Sequence, residues 1–544
     1  MGIYIYMRIS KAVQKKEWQK VYKETLQLVQ AFPFADEREV KCRGINTNCL
    51  VPTREREDRY GWHNEKIRVG WSTVGDYETM HTAEEYFLSG DIVEEKDYEA
   101  DAGDALLGLL PGYLGYDKED SRFGRNYKIW GNKTQGEPYH IYLLAIACLI
   151  ESRLGNKAFV YGDITRAQCE KAVKLANRYL AEPIQMPARC DMDCFWKRVS
   201  ELPFSEEGHL EIFECFYLGT KNREFGQYIR KMCSEKILDA YWKKKFQNIV
   251  VGTLGFAEEL KNYLLWGFSL EKLCGFVNYN DKDNIPQYDT FVKEIMDTKI
   301  YLKEKNCEDV LEIDQDEEQP YSIYTVFAQF AFAGAKNTKV DRYIPIEEIR
   351  TVLKKGMDGK CDVDMIIDKY LEKEEELQAL ENSKNEISDQ QIEEYCKKNA
   401  SELLNQAMEI HREIFMNERE KYEIVNYEDC ISYKHGDTVE PRLLESLQDY
   451  FKFYNNLITE EYYEELVKKS AVERCEWLVQ QNKSLLIRDK DWDKIFGDIE
   501  ENEEVFARYY PMVRVRVNSR DVQYLVCAIV LNDELYSFLQ GNSR

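Results

Sequence analysis

The sequence lacks the long apolar segments that mark membrane and secreted proteins. Its longest apolar run, residues 141–150, falls well short of the roughly 18 residues needed to span a bilayer. Residues 1–10 do not have the charged segment followed by an apolar segment that opens a secretory signal. We therefore expect neither membrane insertion nor secretion, and the predicted location is the cytoplasm.

Four short motifs that mark common enzyme classes are also missing. The chain has no GxxxxGK[ST] phosphate loop, no GxGxxG dinucleotide turn, no GxSxG nucleophile elbow and no HExxH zinc helix. Their absence excludes the readily recognised forms of nucleotide hydrolases, dehydrogenases, esterases and metalloproteases. The six histidines are far apart in the sequence, so their spacing does not indicate a catalytic group.

Cysteine is present without the paired CxxC spacing of zinc sites and redox motifs. The 15 cysteines are an odd number and mostly lie in apolar helical patterns, which is typical of reduced, buried thiols. Residues 190–194 (CDMDC) offer two thiols and two carboxylates, but no second pair of ligands follows at a familiar spacing. This segment is better explained as a turn or helix start, and we predict neither a metal nor a cofactor.

Positive charge is scarce relative to negative charge, and the formal net charge is −25. Proteins that bind nucleic acid or anionic membranes non-specifically need clustered Lys and Arg to neutralise phosphates. The net charge therefore argues against nucleic acid and membrane partners, although it does not test for a local basic patch. The expected partner is another protein or a second copy of the chain.

The patterns that are present predict an α+β, predominantly α-helical, multidomain protein with small β-sheets near both termini and a helical middle. The first strand alternates aliphatic side chains with larger polar ones, a period typical of a half-buried strand. The aliphatic set is Ile3, Ile5, Met7 and Ile9, and the other set is Tyr4, Tyr6 and Arg8. Short β-like runs in residues 38–80 are predicted to complete a sheet with this strand.

Four domains are predicted from the changes in composition and periodicity along the chain. They are an N-terminal α/β-type domain (1–183), a helical domain (184–363), a charged helical hairpin (364–422) and a C-terminal α+β domain (423–544). The last contains two predicted strands, at 513–517 and 524–531, where β-branched and aliphatic residues are dense.

One short pattern, PYxIY, occurs twice, at residues 138–142 and 320–324. We interpret it as the start of a duplicated helical unit, because Pro fits the first helical position; coincidence combined with ordinary helix-start chemistry is the alternative. The third position is His140 in one copy and Ser322 in the other. The recurring Tyr at the fifth position, Tyr142 in the first copy, is predicted to be more buried than this variable residue.

Dispersed acids and one histidine support an enzyme hypothesis, a hydrolase or nuclease-like protein. Asp163 follows an extended run and precedes a helix, a place where α/β proteins bind ligands, although Asp163 or Thr165 acting as an ordinary helix cap explains the same residues. The candidate catalytic residues are Asp163, His140, Glu137, Asp101 and Asp104.

Two surfaces support the first hypothesis, a non-enzymatic interaction protein such as an adaptor, sensor or scaffold. Leu403 and Ile410 belong to an apolar helical stripe that this chain or another must cover. Arg514 and Arg516 share one face of a predicted strand and could bind phosphate or an acidic partner, although a solvated strand face is the commoner arrangement. A bacterial stress or defence system would suit either hypothesis, but no residue points to one.

Overall fold

The fold is α+β and predominantly helical, as the sequence predicts. The computed structural model describes residues 3–60, 66–92, 103–109, 126–297, 344–384, 430, 432–439, 441–458, 460–482, 486–514 and 520–542. All the strands in these residues lie before residue 163, and helices make up the later described parts.

Strands and helices are numbered in chain order. The strands are β1 (Tyr4–Ser10), β2 (Phe34–Cys42), β3 (Ile45–Pro52), β4 (Arg56–Tyr60), β5 (Lys66–Asp76), β6 (Thr82–Ser89), β7 (Asn126–Lys133) and β8 (Ala158–Gly162). The helices are α1 (Lys15–Ala31), α2 (Tyr139–Leu154), α3 (Arg166–Ala176), α4 (Met192–Ser200), α5 (Glu206–Phe216), α6 (Arg223–Met232), α7 (Glu235–Gln247), α8 (Leu254–Leu265), α9 (Leu270–Leu273), α10 (Tyr288–Asp297), α11 (Ile346–Gly356), α12 (Val363–Lys384), α13 (Pro441–Asn456), α14 (Glu461–Leu466), α15 (Ala471–Gln481), α16 (Asp489–Glu501), α17 (Phe506–Tyr509), α18 (Arg520–Leu531) and α19 (Asp533–Asn542).

Three strands form a small antiparallel sheet in the order β7, β1, β8. Its central strand shows the predicted alternation, because Ile5, Met7 and Ile9 are fully buried whereas the residues between them are half-buried. The buried face belongs to the same core as α2, a helix that is apolar on nearly every side. Such a helix lies inside a core because it has no polar face to turn to water.

The remaining five strands form a second antiparallel sheet, in the order β3, β2, β5, β4, with β6 against β5. The prediction that residues 38–80 join the first strand is therefore wrong. β2 and β3 form a tight hairpin in which Arg43 and Gly44 both have positive φ, 48° and 92°. Such a two-residue turn pairs adjacent strands, and closing a short loop loses less chain entropy than pairing with the distant β1.

The predicted helical middle is confirmed where it is described. Helices from α4 to α12 surround a core rich in aromatic rings. The ring of Trp266 lies 4.9 Å from that of Trp242 and 4.8 Å from that of Phe225. Asp191 accepts a hydrogen bond from the backbone N–H of Cys194 at 2.8 Å and caps α4, so the CDMDC segment begins a helix as expected.

The strand predicted at 524–531 is wrong, and the one predicted at 513–517 is not found at its two described residues, Val513 and Arg514. Residues Tyr510–Val513 form a 3-10 turn, and the apolar run 524–531 belongs to α18; residues 515–519 lie outside the described part. Residues 525–530 of α18 are all buried, because three different clusters cover them. Val526 contacts one cluster, Ile529 a second, and Cys527 the edge of the five-stranded sheet. The segment 525–531 is therefore apolar at every position and shows no helical period in the sequence.

The first copy of the PYxIY pattern begins a helix, as predicted, because Pro138 immediately precedes α2. The predicted burial order is wrong in this copy, since His140 is 1% exposed and Tyr142 is only half-buried. Tyr142 lies at the edge of the core, with its ring 5.1 Å from that of Phe32. The second copy, including Ser322, lies outside the described residues.

The first helix of the predicted hairpin is present as α12. Leu403 and Ile410, in the predicted second helix, lie outside the described residues, and the four domain boundaries stay predictions. Among the residues that the structure describes, no helix is both long enough and apolar enough to cross a bilayer.

Candidate functional site

His140, a candidate catalytic base, lies at the start of α2 inside the core. Its Nδ1 is 2.7 Å from the hydroxyl of Thr134, which itself lies close to the backbone carbonyl of Ile3. Burial lowers the pKa of His140 to about 4, because the charged imidazolium would be removed from water. His140 is therefore neutral near pH 7 and inaccessible to a substrate, and it stabilises the turn that leads into α2.

Glu137 lies one turn before His140 in the chain, yet its carboxylate pairs elsewhere. Its Oε2 is 2.6 Å from Nδ1 of His81, which follows the second sheet's strand β5. Both side chains are largely shielded from water. The structure thus brings Glu137 and His140 into one turn but joins each to a different partner.

Asp163 continues the pairing of β8 with β1 beyond the end of the strand. Its backbone N–H donates to the carbonyl of Tyr4 at 2.9 Å, and its Oδ2 accepts from the N–H of Tyr4 at 2.9 Å. The cap of α3 is Thr165, which forms a reciprocal capping box with Gln168. The helix-cap explanation of this segment is therefore confirmed for Thr165, while Asp163 closes the end of the sheet.

Asp104 belongs to a buried network of charged groups. It accepts hydrogen bonds from Nε and Nη2 of Arg198 at 2.9 and 2.8 Å, and it caps the 3-10 turn that begins at Ala105. Nη1 of Arg198 lies 3.8 Å from Glu151, whose two oxygens accept from the backbone N–H groups of Val160 and Ala188. Desolvation raises the pKa of Glu151, although Arg198 opposes the shift. These contacts join the three-stranded sheet to the helical core. Asp101, another candidate catalytic residue, lies outside the described residues.

Arg514 does not lie on a strand. It follows the 3-10 turn at Tyr510–Val513 and makes an ion pair with Glu460, and Arg516 lies outside the described residues. None of the candidate catalytic residues described by the structure joins two others in a pocket. In the same described ranges, no group of three His, Cys, Asp or Glu side chains is arranged to hold a metal ion.

The best-developed surface feature is a row of tyrosine rings, which we call the tyrosine face: Tyr4 and Tyr6 on β1 and Tyr161 on β8. The rings of Tyr4 and Tyr6 are 5.4 Å apart with planes 10° from parallel, and those of Tyr6 and Tyr161 are 4.8 Å apart and 15° from parallel. All three side chains are half-buried. The row continues to Phe159, which is fully buried in the helical core.

Each tyrosine of this face has its own cation. Nζ of Lys133 lies 5.6 Å from the ring centre of Tyr4, and Nζ of Lys128 lies 5.8 Å from that of Tyr6. Nε of Arg8 donates to the hydroxyl of Tyr161 at 3.0 Å. Cations at these distances from aromatic rings are attracted by the ring quadrupole. Aromatic and positively charged groups are therefore combined along one face.

The arrangement depends on a glycine opposite Tyr6. In the register of β1 and β7, Tyr6 faces Gly131, and the side chain of Lys128 passes over this position. A Cβ at residue 131 would lie 2.0 Å from Cε of Lys128 and 2.9 Å from Cδ1 of Tyr6. The missing side chain allows the lysine to reach the ring.

Sequence reasoning found only half of this face. The alternation in β1 predicts that Tyr4, Tyr6 and Arg8 share one side of a strand. It cannot identify Tyr161, Lys128 or Lys133 as their neighbours, because they come from strands more than a hundred residues away in the chain. The aromatic residue in β8 and the lysines in β7 were the available signals, but no local pattern joins them.

A second polar surface is a depression of about 460 Å³ on the five-stranded sheet. Its floor contains Asp36, which is 2% exposed and accepts hydrogen bonds from Arg38 and from the hydroxyl of Ser72. Arg56 also donates to Ser72, at 3.0 Å. Arg38 and Arg56 both lie within ion-pair distance of Asp36, which explains how this carboxylate can be buried.

Comparison with known proteins gives no relationship: no protein-family model matches the chain, and neither a curated protein nor a solved structure matches it significantly. Function therefore has to follow from the residues and contacts described above.

Proposed function

We propose that this chain is a cytoplasmic, non-enzymatic interaction protein, an adaptor or sensor, that binds its partner through the tyrosine face. The observation that carries the proposal is the row of three half-buried tyrosines, each with a cation at its ring or hydroxyl. Tyr and Arg are enriched in the energetically dominant parts of interfaces. Mutually packed tyrosine rings lose little further conformational entropy when a partner binds.

The alternative, a hydrolase or nuclease-like enzyme, has less support. An enzyme of this kind gathers a nucleophile or base and its supporting groups in one cavity. Here Asp104 is paired with Arg198, Glu137 with His81, and His140 with Thr134. Glu137 and His140 share one turn, but the side chain of each candidate is paired with a different partner in the fold.

Site-specific photocrosslinking in the producing cells tests the proposal. A photoreactive phenylalanine analogue is placed at Tyr4 or Tyr6, and at Tyr179 as a matched control, because Tyr179 is a 48% exposed tyrosine outside the three-stranded sheet. We expect a discrete crosslinked species from positions 4 and 6 and none from position 179. Equal crosslinking at all three positions, or none at positions 4 and 6, would contradict the proposal.

The sequence favours packing of the stripe that contains Leu403 and Ile410 within this chain; an exposed stripe would be a second proposed binding surface. If the stripe is exposed, replacing both residues with Asp should abolish self-association or partner binding and leave the circular-dichroism spectrum and melting temperature nearly unchanged. Unfolding of the double variant would instead place the stripe in a core.

A further inference from the structure

We infer that the tyrosine face binds single-stranded nucleic acid, DNA or RNA, with its rings against the bases and its cations against the phosphates. The inference rests on the proposed binding function and names the chemical class of the partner. Base stacking on aromatic side chains and neutralisation of phosphates by nearby cations are the two contributions that general single-strand binding requires.

The three tyrosine rings are stacked on one another, so a base can meet only the half of the row that is exposed to solvent. Tyr4, Tyr6 and Tyr161 lie within 15° of parallel from one ring to the next, and Phe159 extends the row at 6.0 Å. Phe159 is completely buried, so a ligand can meet the row only along its tyrosine part. Because every base has a π face, such a row binds bases with little dependence on sequence.

The cations are placed to accompany those rings. Lys128 and Lys133 lie on β7, beside the central strand, and Arg8 lies in line with the two tyrosines of β1. Two acids contact this face: Oε1 of Glu84 lies 3.9 Å from Nζ of Lys133, and Asp163 binds the backbone of Tyr4. Arg8, Lys128 and Lys133 thus place three cations beside the rings on a protein of net charge −25.

The same charge distribution restricts how nucleic acid can bind. A duplex hides the faces of its bases, so it cannot use the rings and would rely on phosphate contacts alone. The acidic remainder of the protein repels a long polyanion, which confines contact to a short segment at the tyrosine face. We therefore expect micromolar, salt-dependent binding of single strands and much weaker binding of duplexes.

Fluorescence anisotropy of the full chain with labelled oligonucleotides tests this. The probes are oligo(dT), oligo(U) and a mixed-sequence duplex, each of about 12 nucleotides or base pairs, within the range that one small binding fold covers. Tyr4→Ala and Tyr6→Ala should each weaken single-strand binding roughly 5- to 150-fold, whereas the corresponding Phe variants keep the ring and stay within about threefold of wild type. Tyr179→Ala is the control and should have no effect.

The cations are tested by the salt dependence of the dissociation constant. Lys128→Gln should reduce the slope of log K against log salt by about 0.7, the value for one phosphate contact in a single strand. Lys243→Gln, at an exposed lysine of α7, should leave the slope unchanged. Circular dichroism and thermal melts of every variant establish that the fold is retained, and an unchanged salt slope in Lys128→Gln overturns the inference even if an Ala variant unfolds.

The outcomes separate the inference from the proposed function. Binding of oligo(dT) and oligo(U) that is lost in the Ala variants supports both. No binding to either probe, or duplex binding of equal strength, overturns the nucleic-acid inference; a protein crosslinked at position 6 would then leave the binding function standing. Absence of both oligonucleotide binding and crosslinking overturns both.

Discussion

Replacing Arg198 with Met removes the cation at the centre of the buried network and should strongly destabilise the protein. The side chain is almost fully buried and makes two hydrogen bonds to Asp104, at 2.9 and 2.8 Å. It also donates to the carbonyls of Asn156 and Ala158, which lie just before and at the start of β8. Met fills similar space but leaves Asp104 without its arginine and Glu151 with only the charge of Arg189 to oppose its own.

The expected loss can be worked out from these contacts. Hydrogen bonds to charged groups contribute about 1.5–3 kcal/mol each. Removing one partner of a buried ion pair typically costs about 3–5 kcal/mol because the remaining charge stays desolvated. We expect a loss of about 3–5 kcal/mol, a large fraction of the roughly 5–15 kcal/mol by which natural proteins are stable.

The pH dependence of this loss provides a sharper check. Burial raises the pKa of Glu151, so the native state holds this proton more tightly than the unfolded state does. The free energy of unfolding therefore falls as the pH rises from the unfolded pKa through the folded pKa. The Arg198→Met deficit should be larger at about pH 8 than at about pH 5, and adding Glu151→Gln should remove most of that difference.

Native-state hydrogen exchange is the appropriate assay, because a chain with several cores need not unfold in one step. Exchange of the Val160 amide, which donates to Glu151, reports the local opening free energy. Arg178→Met, at an exposed arginine after α3, is the matched control and should change stability by less than about 0.5 kcal/mol. An Arg198→Met variant that behaves like this control, or whose deficit does not vary with pH, would refute the reasoning.

Three further substitutions test other parts of the fold. Burial lowers the pKa of His140 to about 4. The free energy of unfolding should therefore fall by up to about 3 kcal/mol as the pH falls from about 6.5 to about 4. Thermal melts across that range should show a smaller fall for His140→Gln. In Gly226→Ala the new Cβ would lie 1.8 Å from the carbonyl oxygen of Trp266, and denaturant melts should show a loss of about 1–3 kcal/mol or more. Gly255→Ala is its control, since the nearest atom is 3.9 Å away, and should be neutral or stabilising by up to about 1 kcal/mol. Thr165→Ala should lower the free energy of unfolding by about 1 kcal/mol, because α3 loses its cap. Its nucleic-acid affinity in the anisotropy assay should not change. A loss of affinity with little loss of stability would instead support a ligand site at this segment.

Local chemistry explains why parts of the fold could be predicted from the sequence. The alternation in β1, the Pro at the start of α2 and the acid at the start of α4 each act within a few residues. The pairing of β1 with β7 and β8 could not be predicted in this way. Register across more than a hundred residues depends on which distant faces fit together, and a short pattern does not contain that information.

The roles of the candidate site residues could not be predicted from local sequence patterns either. His140 and Asp104 were sensible catalytic candidates by residue type, but burial and their partners decide what they do. The arginine that neutralises Asp104 lies 94 positions further along the chain. The strand predicted at 524–531 is wrong for a different reason: residues 525–530 of α18 are all buried, so the usual alternation of apolar and polar residues is missing.

The packing of α18 against the five-stranded sheet has a consequence for how the protein is made. Cys527 shares a cluster with Ala35 and Leu50, and the N–H of Leu50 donates to the carbonyl of Ile487 at 3.1 Å. At roughly 5–20 residues per second, ribosomes need roughly half a minute to a minute and a half to proceed from Leu50 to Cys527. The apolar surface of the sheet that α18 covers stays without its native cover throughout that interval. The nascent chain therefore presents a binding surface for chaperones, and a premature stop codon before α18 would leave that surface permanently exposed.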